Sequence, residues 1–229
     1  MARASFWQKK LYNQGNYPNN SLIKTGFIRT DIIPKLSSTK TSNILNIKDN
    51  RKLVVFASQP IADKAMRKQI AFEAFTSLRE IKNCILVVKL HPAESNDIAF
   101  YKTIAKKAKL DELIFTSEID LYLLLSRANI ILTSFSTVGL ESVFFYKPLI
   151  IIDPLQQDVQ NYYRDGIAFQ AKNAKELTSF IHKINNRELS LNQKNYNSYL
   201  YDQVTKIDGN VSKRCLEAIK TYSNEQNEV

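Results

Sequence analysis

The sequence has no apolar run of the eighteen or so residues that a membrane-spanning helix needs. Its opening stretch, MARASFWQKKLYNQG, lacks the continuous apolar segment of a secretory signal. Cysteine and histidine are scarce, two of each among 229 residues. Cys84 and Cys215 sit in apolar-patterned segments without ligand-like spacing, as expected of small core residues in a reducing, cytoplasmic setting. No transition-metal site is expected. There is also no GxGxxG, no GxxxxGK followed by Ser or Thr, no HExxH, no CxxC and no GxSxG. These absences remove the dinucleotide fingerprint, the P-loop, the zinc-protease helix and the serine nucleophile elbow.

Charge is present but unevenly placed. The chain is +10 at neutral pH. Residues 1–52 hold ten Lys or Arg against two acids, a net +8, and the remainder holds 22 against 20, a net +2. Such asymmetry fits a basic surface facing a membrane or a phosphorylated substrate, and fits equally a solvated, lysine-rich stretch. No helix-turn-helix, zinc-finger or aromatic RNP pattern accompanies it, so nucleic-acid binding is not expected.

Short apolar runs alternate with helical periodicity. LVVFAS (53–58), ILVVKL (85–90), ELIF (112–115), NIILTS (129–134) and PLIIID (148–153) read as strands, the longer ones covered on both faces. Between the first two, Ala71, Ala74, Phe75, Leu78 and Ile81 recur at three- and four-residue spacing. Asn96 or Asp97 can cap a helix running to about Lys109, residues 119–127 form a buried helix, and residues 136–146 another. A short strand at 167–170, a helix carrying Leu177, Ile181 and Ile184, a polar stretch (185–198) and a last helix with Val211, Cys215 and Ile219 complete the pattern. This rhythm predicts one Rossmann-like α/β domain, a parallel sheet with helices on both faces. The expected organisation is a basic lead-in and interdomain segment over 1–52, the α/β domain over 53–222 and a disordered tail over 223–229. Lys35–Asn50 reads as a low-complexity loop.

Ligands of an open α/β sheet gather at the carboxyl ends of its strands. Three segments fall there. Ser134, Ser136 and Thr137 open a helix, where hydroxyls, amides and the helix dipole can hold a phosphate. Glu141 lies one turn on and can accept from both hydroxyls of a ribose. The alternative for this segment is a hydroxyl-rich cap with a solvent-exposed glutamate. His91, fixed by Pro92, can hydrogen-bond a phosphate or sugar oxygen, or serve as a structural histidine. Ser58 and Gln59 end the first strand and can line the same cleft, or form an ordinary turn.

Taken in order, TGFIRTDII (25–33), VVFASQP (54–60), VVKLHPAE (87–94), ILTSFSTVGLESVFFYKPLIIID (131–153) and DGNVSKRCLEAI (208–219) resemble the C-terminal domain of a glycosyltransferase-B-like superfamily. That superfamily includes capsule glycosyltransferases, teichoic-acid glycerophosphotransferases and non-hydrolysing UDP-N-acetylglucosamine 2-epimerases. The resemblance implies that His91, Ser134, Ser136 and Thr137 contact phosphate or sugar and that Glu141 contacts ribose. Ser134-Phe135-Ser136 replaces the Ser-Gly-Gly of the epimerases and favours the transferases. The implied function is the donor-binding half of a glycosyltransferase for capsule or lipopolysaccharide. An epimerase-like enzyme and a non-catalytic nucleotide-sugar-binding module are the alternatives.

The family pairs this domain with an upstream Rossmann-like domain that carries the catalytic base. The position of TGFIRTDII implies that this domain is cut away or encoded elsewhere, and no catalytic residue is assigned here. The remaining expectations are a UDP- or CMP-linked donor, no cofactor and no metal. The acceptor would be a glycan or a lipid-linked molecule, and the location the inner face of the membrane.

Overall fold

The β-branched and aliphatic runs become strands because they are too short for helices and apolar on both sides. The computed structural model describes residues 5–18, 22–36 and 50–227. Strands β1 (Lys52–Ala57), β2 (Cys84–Lys89), β3 (Leu113–Thr116), β4 (Ile130–Thr133), β5 (Leu149–Ile152) and β6 (Phe169–Ala171) form one sheet. Their spatial order is β3-β2-β1-β4-β5-β6, and every neighbouring pair is parallel. Val55 faces Val87 on one side and Ile131 on the other. Side chains alternate between sheet faces, and both sets are buried. Val54, Leu86, Ile130 and Ile150 lie inward on one face, and Val55, Val87, Ile131 and Leu149 on the other. The expected α/β architecture is therefore the observed one.

Three of the connecting helices begin on a capping side chain. α1 (Ser5–Gly15) precedes the sheet. Asp63 caps α2 (Lys64–Leu78) by accepting from the Ala65 and Met66 amides. Asp97 stands at the start of α3 (Ile98–Ala108) but makes no cap bond; its carboxylate accepts from Arg67 instead. That helix ends on Lys109 in the left-handed region, φ 56°. Asp120 caps α4 (Leu121–Arg127), α5 spans only Val138–Val143, and Asn173 caps α6 (Ala174–Asn185). Leu177 and Ile181, one turn apart on α6, are buried.

α7 (Gln193–Val204) begins inside the polar stretch at 185–198, with Tyr196, Leu200 and Val204 buried at four-residue spacing. α8 (Val211–Asn227) carries helix through residues 223–227 of the expected tail. Of the low-complexity loop, residues 37–49 lie outside the described residues.

The chain divides into two compact units, Ser38–Asn195 and a second made of Met1–Ser37 with Tyr196–Val229. The sheet belongs to the first unit. In the second, the Asp31 carboxylate caps α8 from far upstream. It accepts from the Val211 and Ser212 amides, both at 2.7 Å, and from Ser212 Oγ at 2.6 Å. Arg214 Nε donates to Thr25 O at 2.8 Å, and Arg214 Nη1 holds both Asp208 oxygens at 3.0 and 2.8 Å. The segments 25–33 and 208–219 therefore meet each other.

Candidate functional site

The sheet order itself locates the site. From β1 the chain moves outward to β2 and β3, then returns to the other side of β1 for β4. The connections leave β1 and β4 in opposite directions, which opens a crevice at their carboxyl ends. Ser58 and Gln59 follow β1, His91 follows β2 and Ser134–Thr137 follow β4, so these site residues singled out from sequence border this end of the sheet, with Glu141 in the helix that follows.

The structure separates inward-facing from outward-facing groups among them. Ser58 is only 4% exposed. Its hydroxyl donates to Glu94 Oε2 at 2.5 Å and accepts from the His91 amide at 3.0 Å. Ser134 is buried and donates to Ile152 O at 2.8 Å, tying the end of β4 to β5. Both hydroxyls are engaged inside the protein. Ser136 Oγ accepts from the Val138 amide at 3.2 Å, leaving its proton available to an acceptor. Thr137 is exposed at the start of α5 and makes no cap bond. His91 is exposed, and its Nδ1 accepts from the Ala93 amide at 3.1 Å. An accepting Nδ1 places the imidazole proton on Nε2.

Glu141 is 6% exposed, so the sequence alternative of a solvent-exposed glutamate does not describe it. Tyr122 from α4 donates its hydroxyl to Glu141 Oε1 at 3.2 Å. A buried carboxylate with two acceptor oxygens suits paired hydroxyls better than phosphate.

The helix start offers fewer amides to an anion than expected from sequence. The amides of Val138, Gly139, Leu140 and Glu141 donate to Ser136 Oγ, Ser136 O, Tyr162 Oη and Thr137 O. The Ser136 and Thr137 side chains stand beside these four amides.

Several residues that the sequence did not single out organise the site. Glu94, 1% exposed, accepts from Tyr101 Oη at 2.8 Å and Arg67 Nη1 at 3.0 Å as well as from Ser58. Arg67 also pairs with Asp97 at 2.9 Å and lies 4.2 Å over the Phe100 ring. Burial, first, and then the neighbouring Glu94 carboxylate drive the Tyr101 phenol well above its ordinary range. A narrow cleft between the β1 and β4 ends is lined by Gln59, Ile61, Arg67, Tyr101 and Ser134. Within it Gln59 Oε1 and Arg67 Nε are buried and without hydrogen-bond partners among the described residues.

The loop after β5 lines a second pocket, with Asp153, Asp158 and Tyr162 beside Ser134 and Phe135. The Asp153 carboxylate accepts from the Asp158 amide at 2.7 Å and from Gln170 Nε2 at 2.9 Å. Asp158 in turn accepts from the amides of Tyr163 and Arg164. Tyr162 donates to Ser136 O at 3.0 Å, which anchors this loop on the start of α5. A sequence signal did exist for Glu94, three residues beyond His91 in the same quoted motif. For Tyr162 there was none.

Among the described residues, no cluster of three or more His, Cys, Asp or Glu side chains could hold a metal ion. No helix there is long and apolar enough to cross a membrane.

Comparison with known proteins gives these features a family. The chain is 31% identical over 134 residues to the teichoic acid glycerol-phosphate primase of Bacillus subtilis (strain 168), an alignment covering 58% of this chain and 33% of that protein. Its fold is similar to that of the wall teichoic acid polymerase TagF, with a TM-score of 0.70 at 15% identity over 98% of this chain and 58% of the other. It is also similar to UDP-GlcNAc 2-epimerase from Neisseria meningitidis bound to UDP-GlcNAc, with a TM-score of 0.64 at 15% identity over 96% of this chain and 60% of that one. The chain thus spans about a third of the curated relative and about three-fifths of these structures. Residues 4–221 match the family described as CDP-glycerol:poly(glycerophosphate) glycerophosphotransferase, and the chain belongs to that family.

Proposed function

We propose that this chain carries the donor site of a transferase that builds a glycerol-phosphate or glycan polymer of the cell surface, and that its donor is CDP-glycerol or a close nucleotide-activated relative. The family match over residues 4–221 carries the reading. The geometry supports it at the level of individual groups. Glu141, held by Tyr122, accepts from the ribose hydroxyls. Ser136, Thr137 and the Nε2–H of His91 donate to the diphosphate at the switch point of the sheet.

In this reading an acceptor hydroxyl attacks the phosphorus that bears glycerol. The bond from that phosphorus to the bridging oxygen breaks, and CMP leaves with the electron pair. The acceptor proton passes to a base that none of these residues supplies. Negative charge grows on the departing phosphate, and preoriented donors stabilise it more than they stabilise the resting donor. The acceptor is a lipid-linked or glycan hydroxyl, and the basic residues of 1–52 suit an anionic neighbour of that kind.

Calorimetry of the folded chain against CDP-glycerol, CMP, UDP-GlcNAc and GDP tests this. Binding of CDP-glycerol and CMP ahead of the other two is expected. Absence of heat with all four at millimolar ligand would remove the site assignment. Preference for UDP-GlcNAc, with interconversion of the sugar and no acceptor, would move the chain to epimerase chemistry.

A further inference from the structure

We propose that Glu94 and Ser58 are positioning residues that hold His91 in the orientation and tautomer needed by the donor phosphate; this rests on the donor site proposed above. Glu94 lies nearly out of solvent, beneath the loop that carries His91. Three donors converge on its carboxylate, from Arg67, Tyr101 and Ser58. With its proton committed to Glu94, the Ser58 oxygen presents its lone pair to the His91 amide at 3.0 Å. The chain of bonds therefore runs from α2 and α3, through Glu94 and the end of β1, to the backbone of His91.

That backbone is also the start of a short 3-10 turn, Pro92–Glu94, and the His91 imidazole closes it by accepting from the Ala93 amide. Glu94 thus sits at both ends of the arrangement. It terminates the turn that aims the imidazole and, through Ser58, fixes the first residue of that turn. Its own amide donates to His91 O at 2.8 Å. A neutral side chain would accept more weakly from Ser58, since hydrogen bonds to an ionised acceptor are about twice as strong as neutral ones. With the turn so held, Nδ1 stays an acceptor and Nε2 keeps the proton, facing away from the turn as a donor.

Imidazole 15N NMR on the donor-free full chain reads this directly. His91 and His182 are its two histidines, and exposed His182 on α6 is the internal reference. In the unaltered protein His91 is expected as the Nε2–H tautomer. Ser58→Ala and Glu94→Gln should each shift it towards a mixture, leave His182 unchanged, and weaken CDP-glycerol about five- to tenfold. Circular dichroism and melting establish that each variant is folded. Should Glu94→Gln fail to fold, the smaller Ser58→Ala change decides. An unaltered His91 tautomer in the folded variants overturns the proposal, and so does a relaxed tautomer with undiminished donor affinity. A tautomer that relaxes in a chain binding no donor at all would defeat the donor reading while leaving the coupling to His91 standing.

Discussion

A β-carbon on Gly139 would overlap the ring of Tyr162, whose hydroxyl bridges the Leu140 amide and the Ser136 carbonyl. The bare backbone at Gly139 is what lets the loop after β5 seat against the start of α5. Gly139→Ala should therefore destabilise the fold by about 1–3 kcal/mol, the usual cost of forcing extra volume into a packed contact. Denaturant unfolding measures it. Combined with Tyr162→Ala, the cost should fall well short of the sum of the single changes, and additive costs would place the strain elsewhere.

The two serines of the β4 loop should separate in a binding assay. Ser136→Ala removes a hydroxyl that accepts from the Val138 amide and has its proton left to donate, and donor binding is expected to weaken by about 1 kcal/mol, or more against ionised phosphate. Ser134→Ala removes the bond to Ile152 O. It should lower the melting temperature and leave the affinity of the folded fraction close to that of the parent. Identical binding profiles for the two variants would contradict this division.

Glu141→Gln should weaken CMP more than 2′-deoxy-CMP. Loss of charge reduces what Glu141 offers to ribose hydroxyls, whereas a sugar lacking one of them has less to lose. Titration calorimetry with both nucleotides decides, and equal losses would remove the ribose contact from Glu141.

Alkaline pH should loosen the same region. Burial pushes the Tyr162 phenol up to about 12; the Leu140 amide opposes the shift, and the Glu141 and Asp158 carboxylates add to it. Burial also raises Tyr101 and Tyr196. The folded state holds these protons more tightly than the unfolded state does. The contribution of Tyr162 to stability is complete below the ordinary phenol value of 10.0 and is lost as pH climbs towards about 12. Tyr162→Phe should flatten the decline in urea midpoint across that window.

On the acid side, Asp31 marks the other compact unit. Burial alone would raise its pKa, but hydrogen bonds from Ser212 and Val211 and the charge of Arg214 outweigh it and hold the carboxyl below its usual value. Its cap on α8 is therefore present above about pH 4 and lost as pH falls through the lowered value. Asp31→Ala should cost about 0.5–2 kcal/mol at neutral pH, the range for a lost helix cap, and circular dichroism at 222 nm during melting would register it.

The sequence by itself determined the elements and their class. Runs such as LVVF and LIII are apolar at every position, which fits strands covered on both faces, and their alternation with helical segments fits a parallel sheet. Placement of His91, Ser136 and Glu141 beyond strand ends followed from the same local pattern. Tertiary structure alone decided which hydroxyls are engaged inside the protein. Ser58 and Ser134 look equivalent to Ser136 along the chain, yet Glu94 and Ile152 O, brought beside them by neighbouring strands, draw them inward. Pairings such as Tyr162 with Leu140, and Asp31 with an amide 180 residues away, have no local signature. A polar side chain's partner depends on which chain ends the sheet sets side by side, and a periodicity of two or 3.6 residues carries no record of that adjacency.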